Sequence, residues 1–204
     1  MVASDGTPPD AWQSIEPPTA AAWLVDLDVP WWIAGGWAID LHVGRQTRPH
    51  RDIDVGVLRR DVGVVLEAFS DWEIVEAERG VLTRLARGKS PRPTVNSLWC
   101  RPQHSGCWKL ELLLDDAIDD DWCYRREPSI RRPLPTVVRR DASKLPYLAP
   151  EIQLLYKARS LRPRDQHDFE QVLAHIDARG RAWLLDGLKR AEPGHSWISA
   201  LTAG

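Results

Sequence analysis

One stretch constrains this chain more than any other, residues 31–58, which read WWIAGGWAIDLHVGRQTRPHRDIDVGVL. It contains a Gly-Gly pair, a short helix-like run, and then Asp52 and Asp54 in a segment that favours β-structure. Because side chains of a strand alternate between its faces, Asp52 and Asp54 are expected on one side and Ile53 and Val55 on the other. The sequence therefore predicts two carboxylates held side by side.

Two neighbouring anions resist joint ionisation unless a cation lies between them. Mg²⁺ is the expected cation, since it prefers one or two protein carboxylates together with phosphate oxygens. A phosphate-bearing substrate is thereby implied. Gly35 and Gly36 suit that substrate, because glycines let backbone N–H groups approach a polyphosphate and a helix N-terminus favours anions. The helix that follows is predicted over 37–43, with Gly44 as its C-terminal cap.

The strings GGWAID and GRQTRPHRDID, within residues 35–54, resemble the nucleotidyltransferase superfamily of DNA polymerase beta type. Within it they are most similar to the small antibiotic nucleotidyltransferases, the aminoglycoside 2''-adenylyltransferase and lincosamide-type enzymes. Members carry a Gly-Gly or Gly-Ser turn, an Asp-x-Asp pair on a strand, and a third acidic residue on a later strand. The resemblance implies an α+β fold: a nucleotidyltransferase core with a mixed β-sheet flanked by helices, plus a C-terminal helical subdomain.

The third acidic residue is expected on a predicted strand at 108–114, WKLELLL. Alternate residues of this segment are apolar and form one face, while Glu111 lies on the other face between leucines. A buried Glu111 is costly unless it is paired or bound to metal. Glu111 is therefore the predicted third carboxylate and general base, although a salt bridge to an arginine is an alternative interpretation.

Asp115 is the competing candidate for the third carboxylate, four residues along the same face. We favour Glu111 because leucines enclose it, whereas Asp115 opens an acidic run, DDAIDDD, that is expected to be exposed. Such a run is usually a solvated loop. It could also attract a polycationic acceptor such as an aminoglycoside, but the arginines that follow it would cancel much of its field.

Hydrophobic spacing and turn residues predict the other elements. Helices are expected at 19–27 with Thr19 as N-cap, at 60–69, at 150–159, at 165–176 with Asp165 as N-cap, and at 181–189. Strands are expected at 31–34, 52–58 and 95–100, with a hairpin over 72–87 that turns near Gly80. The predicted organisation is an irregular lead-in at 1–17, a catalytic core at 18–145 and a helical subdomain at 146–204.

Residues 147–169, YLAPEIQLLYKARSLRPRDQHDF, are similar to the C-terminal signature of the small nucleotidyltransferases. This resemblance implies that Lys157 reaches the triphosphate; the alternative is an exposed helix lysine. Asp165 and Asp168 are interpreted as structural caps. Arg48 and His50 are expected to touch phosphate or to orient the entrance to the strand, and His50 suits the general base less well than Glu111.

Composition describes an ordinary globular protein of 204 residues, 43% hydrophobic and 27% charged, with a formal charge of −2. No basic excess points to nucleic acid. Three cysteines do not make a disulfide framework, the first residues lack a signal-peptide pattern, and no apolar run is long enough for a membrane helix. A cytoplasmic location without a membrane partner is expected.

Together these features predict Mg²⁺-dependent transfer of a nucleoside monophosphate from an NTP, with ATP expected, to a hydroxyl of a small acceptor such as an aminoglycoside or lincosamide. Pyrophosphate would be released. Nucleic acid as partner is possible but not favoured: one alternative function is nucleotidylation of RNA or protein, and another is a catalytically silent nucleotide-binding protein. The acceptor, the preferred NTP and the oligomeric state are left open by the sequence.

Overall fold

The computed structural model describes residues 11–203, so residues 1–10 of the predicted lead-in lie outside it. The strands are β1 (Trp31–Ile33), β2 (Asp54–Leu58), β3 (Trp72–Glu78), β4 (Val81–Arg84), β5 (Ser97–Pro102), β6 (Leu110–Ile118), β7 (Asp121–Cys123), β8 (Arg131–Pro133), β9 (Val138–Arg140) and β10 (Pro146–Leu148). The helices are α1 (Pro17–Ala22), α2 (Gly35–Val43), α3 (Val62–Ala68), α4 (Pro150–Ala158), α5 (Pro163–Leu173), α6 (Ala178–Ala191) and α7 (Trp197–Thr202).

Backbone contacts divide the chain into two compact units that are discontinuous in sequence. Within residues 11–203, the first unit comprises residues 11–33 together with His50–Asp116, and the second comprises Ala34–Pro49 together with residues 117–203. The linear division expected from the sequence, with boundaries at 17/18 and 145/146, stays a prediction.

The first unit is built on a mixed sheet in which its strands follow the order β4-β3-β5-β6-β2-β1. β2 and β6 run parallel, whereas β1 pairs with β2, β5 with β6, and β3 with both β4 and β5 in antiparallel fashion. Fully buried apolar side chains line the central strands: Ile33, Val55, Val57, Leu98, Leu110, Leu112 and Leu114. The expected mixed β-sheet is therefore confirmed.

Local sequence signals explain several of these elements. The hairpin between β3 and β4 turns through Arg79 and Gly80, both with positive φ, of 51° and 78°. Consecutive residues with positive φ fit a type I′ turn, whose twist matches that of the flanking strands. Along β6 the even-numbered leucines are buried and Glu111 and Leu113 are partly exposed, as the alternating pattern predicts.

The second unit contains the helices α2, α4, α5, α6 and α7 together with the short strands β7–β10. α2 ends at Gly44, whose φ of 81° is the left-handed conformation expected of a glycine cap. α4 starts with Pro150 at its first turn, and the core of the unit contains Leu155, Leu184 and Leu188. Phe169 stacks on Trp197 with ring centroids 4.3 Å apart. Helices α4–α7 follow the sheet in the C-terminal part of the chain, in agreement with the predicted fold class, and a separate subdomain at 146–204 stays a prediction.

Some expected boundaries were wrong. α1 begins at Pro17 rather than being capped by Thr19, because proline is well suited to the first helical turn. α5 begins at Pro163, so Asp165 is not the N-cap but lies at the third helical position and accepts from the backbone N–H of Arg162. Asp52 lies in a bend before β2 instead of in the strand.

Residues 121–148, ahead of α4, contain four short strands that local patterns did not indicate. β7 pairs with β8 and β9 pairs with β10, each over three residues. α7 was likewise not expected. Within residues 11–203, the structure contains no helix that is both long enough and apolar enough to span a membrane.

Close packing of β1 on β2 predicts the effect of a substitution at Gly56. A Cβ at Gly56 would lie 2.5 Å from Cε2 of Trp32 and closer still to its Nε1, and Trp32 is itself 1% exposed. We expect Gly56→Ala to lower the free energy of unfolding by about 2–3 kcal/mol, because a buried indole must move. Chemical denaturation of the purified protein measures this change.

Gly63→Ala is the matched control, because a Cβ at Gly63 in α3 meets nothing within 4 Å. Alanine is the better helix former, so this variant should be neutral or slightly more stable. Equal stability of the Gly56→Ala variant and the wild type would contradict the packing of Trp32 against β2.

Candidate active site

The first unit brings two of the predicted carboxylates side by side. Asp54 is the first residue of β2 and Glu111 is the second residue of β6, and their Cα atoms are partners in the parallel ladder. The backbone N–H of Glu111 donates to the carbonyl oxygen of Ile53 at 3.0 Å. Partners in a ladder project their side chains to the same face, so the two carboxyl groups share one side of the sheet.

Glu111 is held by polar groups from β5. Ser97 Oγ donates to Glu111 Oε1 at 2.6 Å, and Trp99 and Asp54 also hydrogen-bond to the Glu111 side chain. These contacts differ from the arginine ion pair that was the alternative interpretation. The sequence did not predict the contacts of Ser97 and Trp99 with Glu111, because they depend on the strand register that pairs Trp99 with Glu111.

Burial and negative neighbours control the ionisation of Glu111. Burial raises its pKa and the nearby charge of Asp52 raises it further, while the hydrogen bonds with Ser97, Asp54 and Trp99 offset only part of that shift. A hydrogen bond between two carboxyl groups requires that one of them carry a proton. Asp54 and Glu111 therefore tend to share a proton when no cation separates them.

Asp52 and His50 lie just before β2. Asp52 is partly exposed and Ile53 beside it is fully buried, so burial alternates as the pattern predicts even though the strand starts later. His50 is 9% exposed, and its carbonyl oxygen accepts a hydrogen bond from Ser14 Oγ at 2.8 Å. The assignment of His50 to nucleotide binding stays a prediction.

Asp115 differs from the expectation made for it. It is 5% exposed and lies opposite Leu58 in the ladder, so the expected exposed position was wrong. It is four residues along β6 from Glu111, about 13 Å at the rise of a strand. The register thus supports Glu111 rather than Asp115 as the partner of Asp54, and the choice of third carboxylate stays a prediction.

The pair of facing carboxylates fits a magnesium ion, which needs only one or two protein carboxylates when phosphate oxygens supply other ligands. In the described part of the chain, no group of three or more His, Cys, Asp or Glu side chains is gathered closely enough to hold a metal ion. Joint ligation by Asp52, Asp54 and Glu111 therefore stays a prediction.

The second unit contains the other predicted nucleotide-binding residues. Gly35 begins α2 with a φ of 64°, a conformation that glycine adopts without strain. Its N–H donates to Oε1 of the buried Gln153 at 2.7 Å, so this amide already has a protein acceptor. Gln153 was missed because a glutamine within a helix carries no local signal. Phosphate binding by Gly35 and Gly36 stays a prediction.

Lys157 and Arg48 both pair with Asp168, which has no exposed surface. Lys157 Nζ lies 2.8 Å from Asp168 Oδ2 and 3.5 Å from Asp165 Oδ1, and Lys157 is only 7% exposed. Arg48 donates from Nε and Nη2 to the two oxygens of Asp168 at 2.8 and 3.0 Å. The alternative of an exposed Lys157 was wrong, and Asp165 and Asp168 do more than cap a helix.

These ion pairs determine the ionisation of Asp168. Burial alone would raise its pKa, but the hydrogen bond from Arg48 and the charge of Lys157 outweigh that effect and hold the pKa of Asp168 below its usual value. Binding of triphosphate by Lys157 or Arg48 would compete with these pairs. Their roles in nucleotide binding stay predictions.

Comparison with solved structures identifies the class of fold. The lincosamide antibiotic adenylyltransferase LnuA with bound lincomycin superposes with a TM-score of 0.56 and 18% identity, covering 82% of this chain and 100% of that chain. ANT(2'')-Ia in complex with adenylyl-2''-tobramycin gives a TM-score of 0.53 and 15% identity, covering 83% of this chain and 92% of that one. The fold is that of the antibiotic nucleotidyltransferases, in agreement with the predicted fold class.

Sequence comparison gives the family. A 2''-aminoglycoside nucleotidyltransferase of Escherichia coli is 38% identical over 63 residues, which are 29% of this chain. The match spans 36% of the length of that relative. The profile of the aminoglycoside-2''-adenylyltransferase family matches residues 19–172, which is more than half of the chain. The chain belongs to this family, and the predicted resemblance is confirmed.

The raised pKa of Glu111 predicts a gain in stability when its charge is removed. The folded protein binds this proton more tightly than the unfolded chain, so the contribution is present at low pH and is lost as pH rises through the folded pKa. In metal-free buffer at pH 8, Glu111→Gln should raise the free energy of unfolding by about 1 kcal/mol. The gain should shrink towards pH 4, as measured by denaturant titration at both pH values.

Glu127→Gln serves as a control, because the hydrogen bonds from Ser129 lower the pKa of Glu127. This exposed carboxyl should give no gain at pH 8. A Glu111→Gln variant that is less stable than the wild type at pH 8 would show that the ionised carboxylate is favourable in the metal-free protein.

The buried ion pairs of Asp168 predict the effect of removing Lys157. Lys157→Met leaves Asp168 with one cationic partner fewer, and we expect a loss of about 3 kcal/mol at neutral pH. Because the pKa of Asp168 is lowered, this stabilisation is present above the ordinary pKa and is lost as pH falls through the folded value. Denaturation at pH 7 and pH 3 measures both effects, with the exposed Lys189→Met as control; no loss at pH 7 would contradict the ion pair.

Proposed function

We propose that this protein transfers AMP from ATP to a hydroxyl of a small-molecule acceptor, with release of pyrophosphate and with Mg²⁺ as cofactor. The proposed acceptor is an aminoglycoside or lincosamide antibiotic, the classes named in the relatives and in the solved structures of the same fold. A cytoplasmic location is part of the proposal. The proposed function is supported by membership of the family and by the carboxylates of β2 and β6.

The observation that carries the proposal is the register of the parallel ladder. It sets Asp54 opposite Glu111, and Glu111 has a raised pKa. Side-by-side acids that repel each other are unfavourable for folding, and a bound cation would remove that repulsion. Acidic groups that repel each other until a cation binds are typical of a functional site.

The residues of this unit have distinct proposed roles. Asp52 and Asp54 hold the magnesium ion, which when bound stabilises the attacking and leaving oxygens of an in-line displacement. Glu111 accepts the proton of the acceptor hydroxyl. A raised pKa suits this task, because a general base works best when its pKa approaches the working pH.

Nucleotide binding is proposed for residues of the second unit as well as for His50. The N-terminus of α2 at Gly35 and Gly36 would favour an anion through its backbone dipoles. Lys157 and Arg48 would act only if triphosphate oxygens replace part of their pairing with Asp168. An ATP-dependent loss of those ion pairs is thus part of the proposal.

Substitution of Asp54 tests the proposed chemistry. We expect Asp54→Asn to lower kcat/KM for AMP transfer about 10²–10³-fold, because an amide lacks the charge that holds the metal against the phosphates. Pyrophosphate release and the mass of the modified acceptor are measured with ATP, Mg²⁺, and panels of aminoglycosides and lincosamides. Asp26→Asn, at an exposed position before β1, is the control and should keep wild-type activity.

Two results would contradict the proposal. Wild-type pyrophosphate release by the Asp54→Asn variant would remove Asp54 from the chemistry. Incorporation of AMP into tRNA or protein, with every antibiotic left unmodified, would replace the small acceptor by a macromolecule. Chelation of divalent ions should abolish wild-type turnover, and added Mg²⁺ should restore it.

A further inference from the structure

Residues 11–15 of the first unit, here called the N-terminal strap, make two kinds of contact near the carboxylates. Trp12 forms an isolated parallel bridge with Trp108. The N–H of Trp108 donates to the carbonyl of Ala11, and the N–H of Gln13 donates to the carbonyl of Trp108, both at 2.9 Å. The strap thus extends the backbone hydrogen bonding just before β6 begins.

The side chain of Trp12 packs against the side chain of Trp99. The two ring centroids are 5.0 Å apart at an interplanar angle of 71°. Trp99 also meets Trp108, with ring centroids 5.8 Å apart at an interplanar angle of 66°. Both are edge-to-face contacts, the geometry that the quadrupoles of aromatic rings favour. The indole of Trp99 is therefore fixed by two neighbours, one of which belongs to the strap.

Trp99 in turn acts on Glu111. The two residues are Cα partners in the β5–β6 ladder, and Trp99 hydrogen-bonds to the Glu111 carboxyl. An indole can only donate, through its Nε1–H. The position of the Trp99 ring consequently restricts where the carboxyl group of Glu111 can lie.

The strap also contacts the backbone that leads to Asp52. Ser14 Oγ donates to the carbonyl oxygen of His50 at 2.8 Å, two residues before Asp52. The bend at Asp52 lies outside β2 and lacks the support of the ladder. A hydrogen bond on its approach therefore limits the freedom of this carboxylate.

We propose that the N-terminal strap positions the acidic residues of the active site: Trp12 orients Glu111 through Trp99, and Ser14 fixes the approach to Asp52. This inference rests on the proposed function, since it assigns Trp12, Ser14 and Trp99 as positioning residues for that chemistry. None of them contacts substrate in the proposed reaction. A displacement of a reacting group by 1 Å can lower a rate by about 10²-fold, so small shifts of Glu111 are sufficient.

Substitution of Trp12 tests the inference. Trp12→Ala should lower kcat about 10- to 100-fold, with KM for ATP and for the acceptor changed less than about threefold. Trp12→Phe keeps an aromatic edge against Trp99 and should recover most of kcat. Ser14→Ala should lower kcat more modestly.

Trp23→Ala is the matched control. Trp23 makes an edge-to-face contact with Trp72 at 5.0 Å and 72° within the same unit, and it is partly exposed like Trp12. This variant loses an equivalent ring pair without a contact to Trp99, so its melting temperature should fall as in Trp12→Ala while kcat is kept. Equal kcat in the Trp12→Ala and Trp23→Ala variants would overturn the inference.

A measurement without turnover separates this inference from the proposed function. In ¹⁵N-labelled protein, the indole N–H resonance of Trp99, assigned by its loss in Trp99→Phe, should shift when Glu111 is replaced by glutamine. The shift should persist in Trp23→Ala and diminish in Trp12→Ala. If the shift caused by Glu111→Gln is unchanged in Trp12→Ala, the positioning role of the N-terminal strap is overturned even when the enzyme is active. If the wild-type protein transfers no AMP, only the proposed function is overturned.

Discussion

Parallel pairing of β2 with β6 is the interaction on which the acidic site depends. Left alone, the carboxyl groups of Asp54 and Glu111 repel when both are ionised. The next residue pair in the same ladder, Val55 opposite Leu112, is fully buried, as are Val57 and Leu114 further along. Each such apolar side chain contributes about 1.5–3 kcal/mol when it leaves water. The hydrophobic part of the ladder can therefore hold the two acids together before any ligand binds.

Asp168 in the second unit contacts opposite charges, whereas Glu111 in the first unit lies beside like charges. Asp168 is enclosed and its carboxylate is satisfied by Arg48 and Lys157, so that group is complete without a ligand. Glu111 is surrounded by donors but remains next to other acids. Desolvation penalises both carboxyl groups, and their neighbours give the two pKa shifts opposite signs. Glu111 thus has the environment of a group that a cation would stabilise, whereas Arg48 and Lys157 could bind triphosphate only by giving up part of their pairing with Asp168.

Sequence reasoning succeeded where structure depends on nearby residues. The left-handed cap at Gly44, the turn at Gly80 and the alternation along β6 follow from local conformational preferences. It failed where a residue's environment is set by a distant segment: Gln153 meets Gly35 across 118 positions, and Asp115 is buried by a partner strand. The short strands before α4 depend on pairing between separate segments, β7 with β8 and β9 with β10, although β8 and β10 contain prolines.

The contacts that position residue 111 matter because this residue is a glutamate. An aspartate there would hold its carboxyl group on a shorter stem. Glutamate has an additional rotatable bond and loses more conformational entropy when it is fixed. Donors from Ser97 and Trp99 restrict that bond, and Trp99 itself makes edge-to-face contacts with Trp12 and Trp108. The longer side chain of Glu111 is therefore held by hydrogen-bond donors from β5. One of these donors, Trp99, contacts Trp12 of the N-terminal strap.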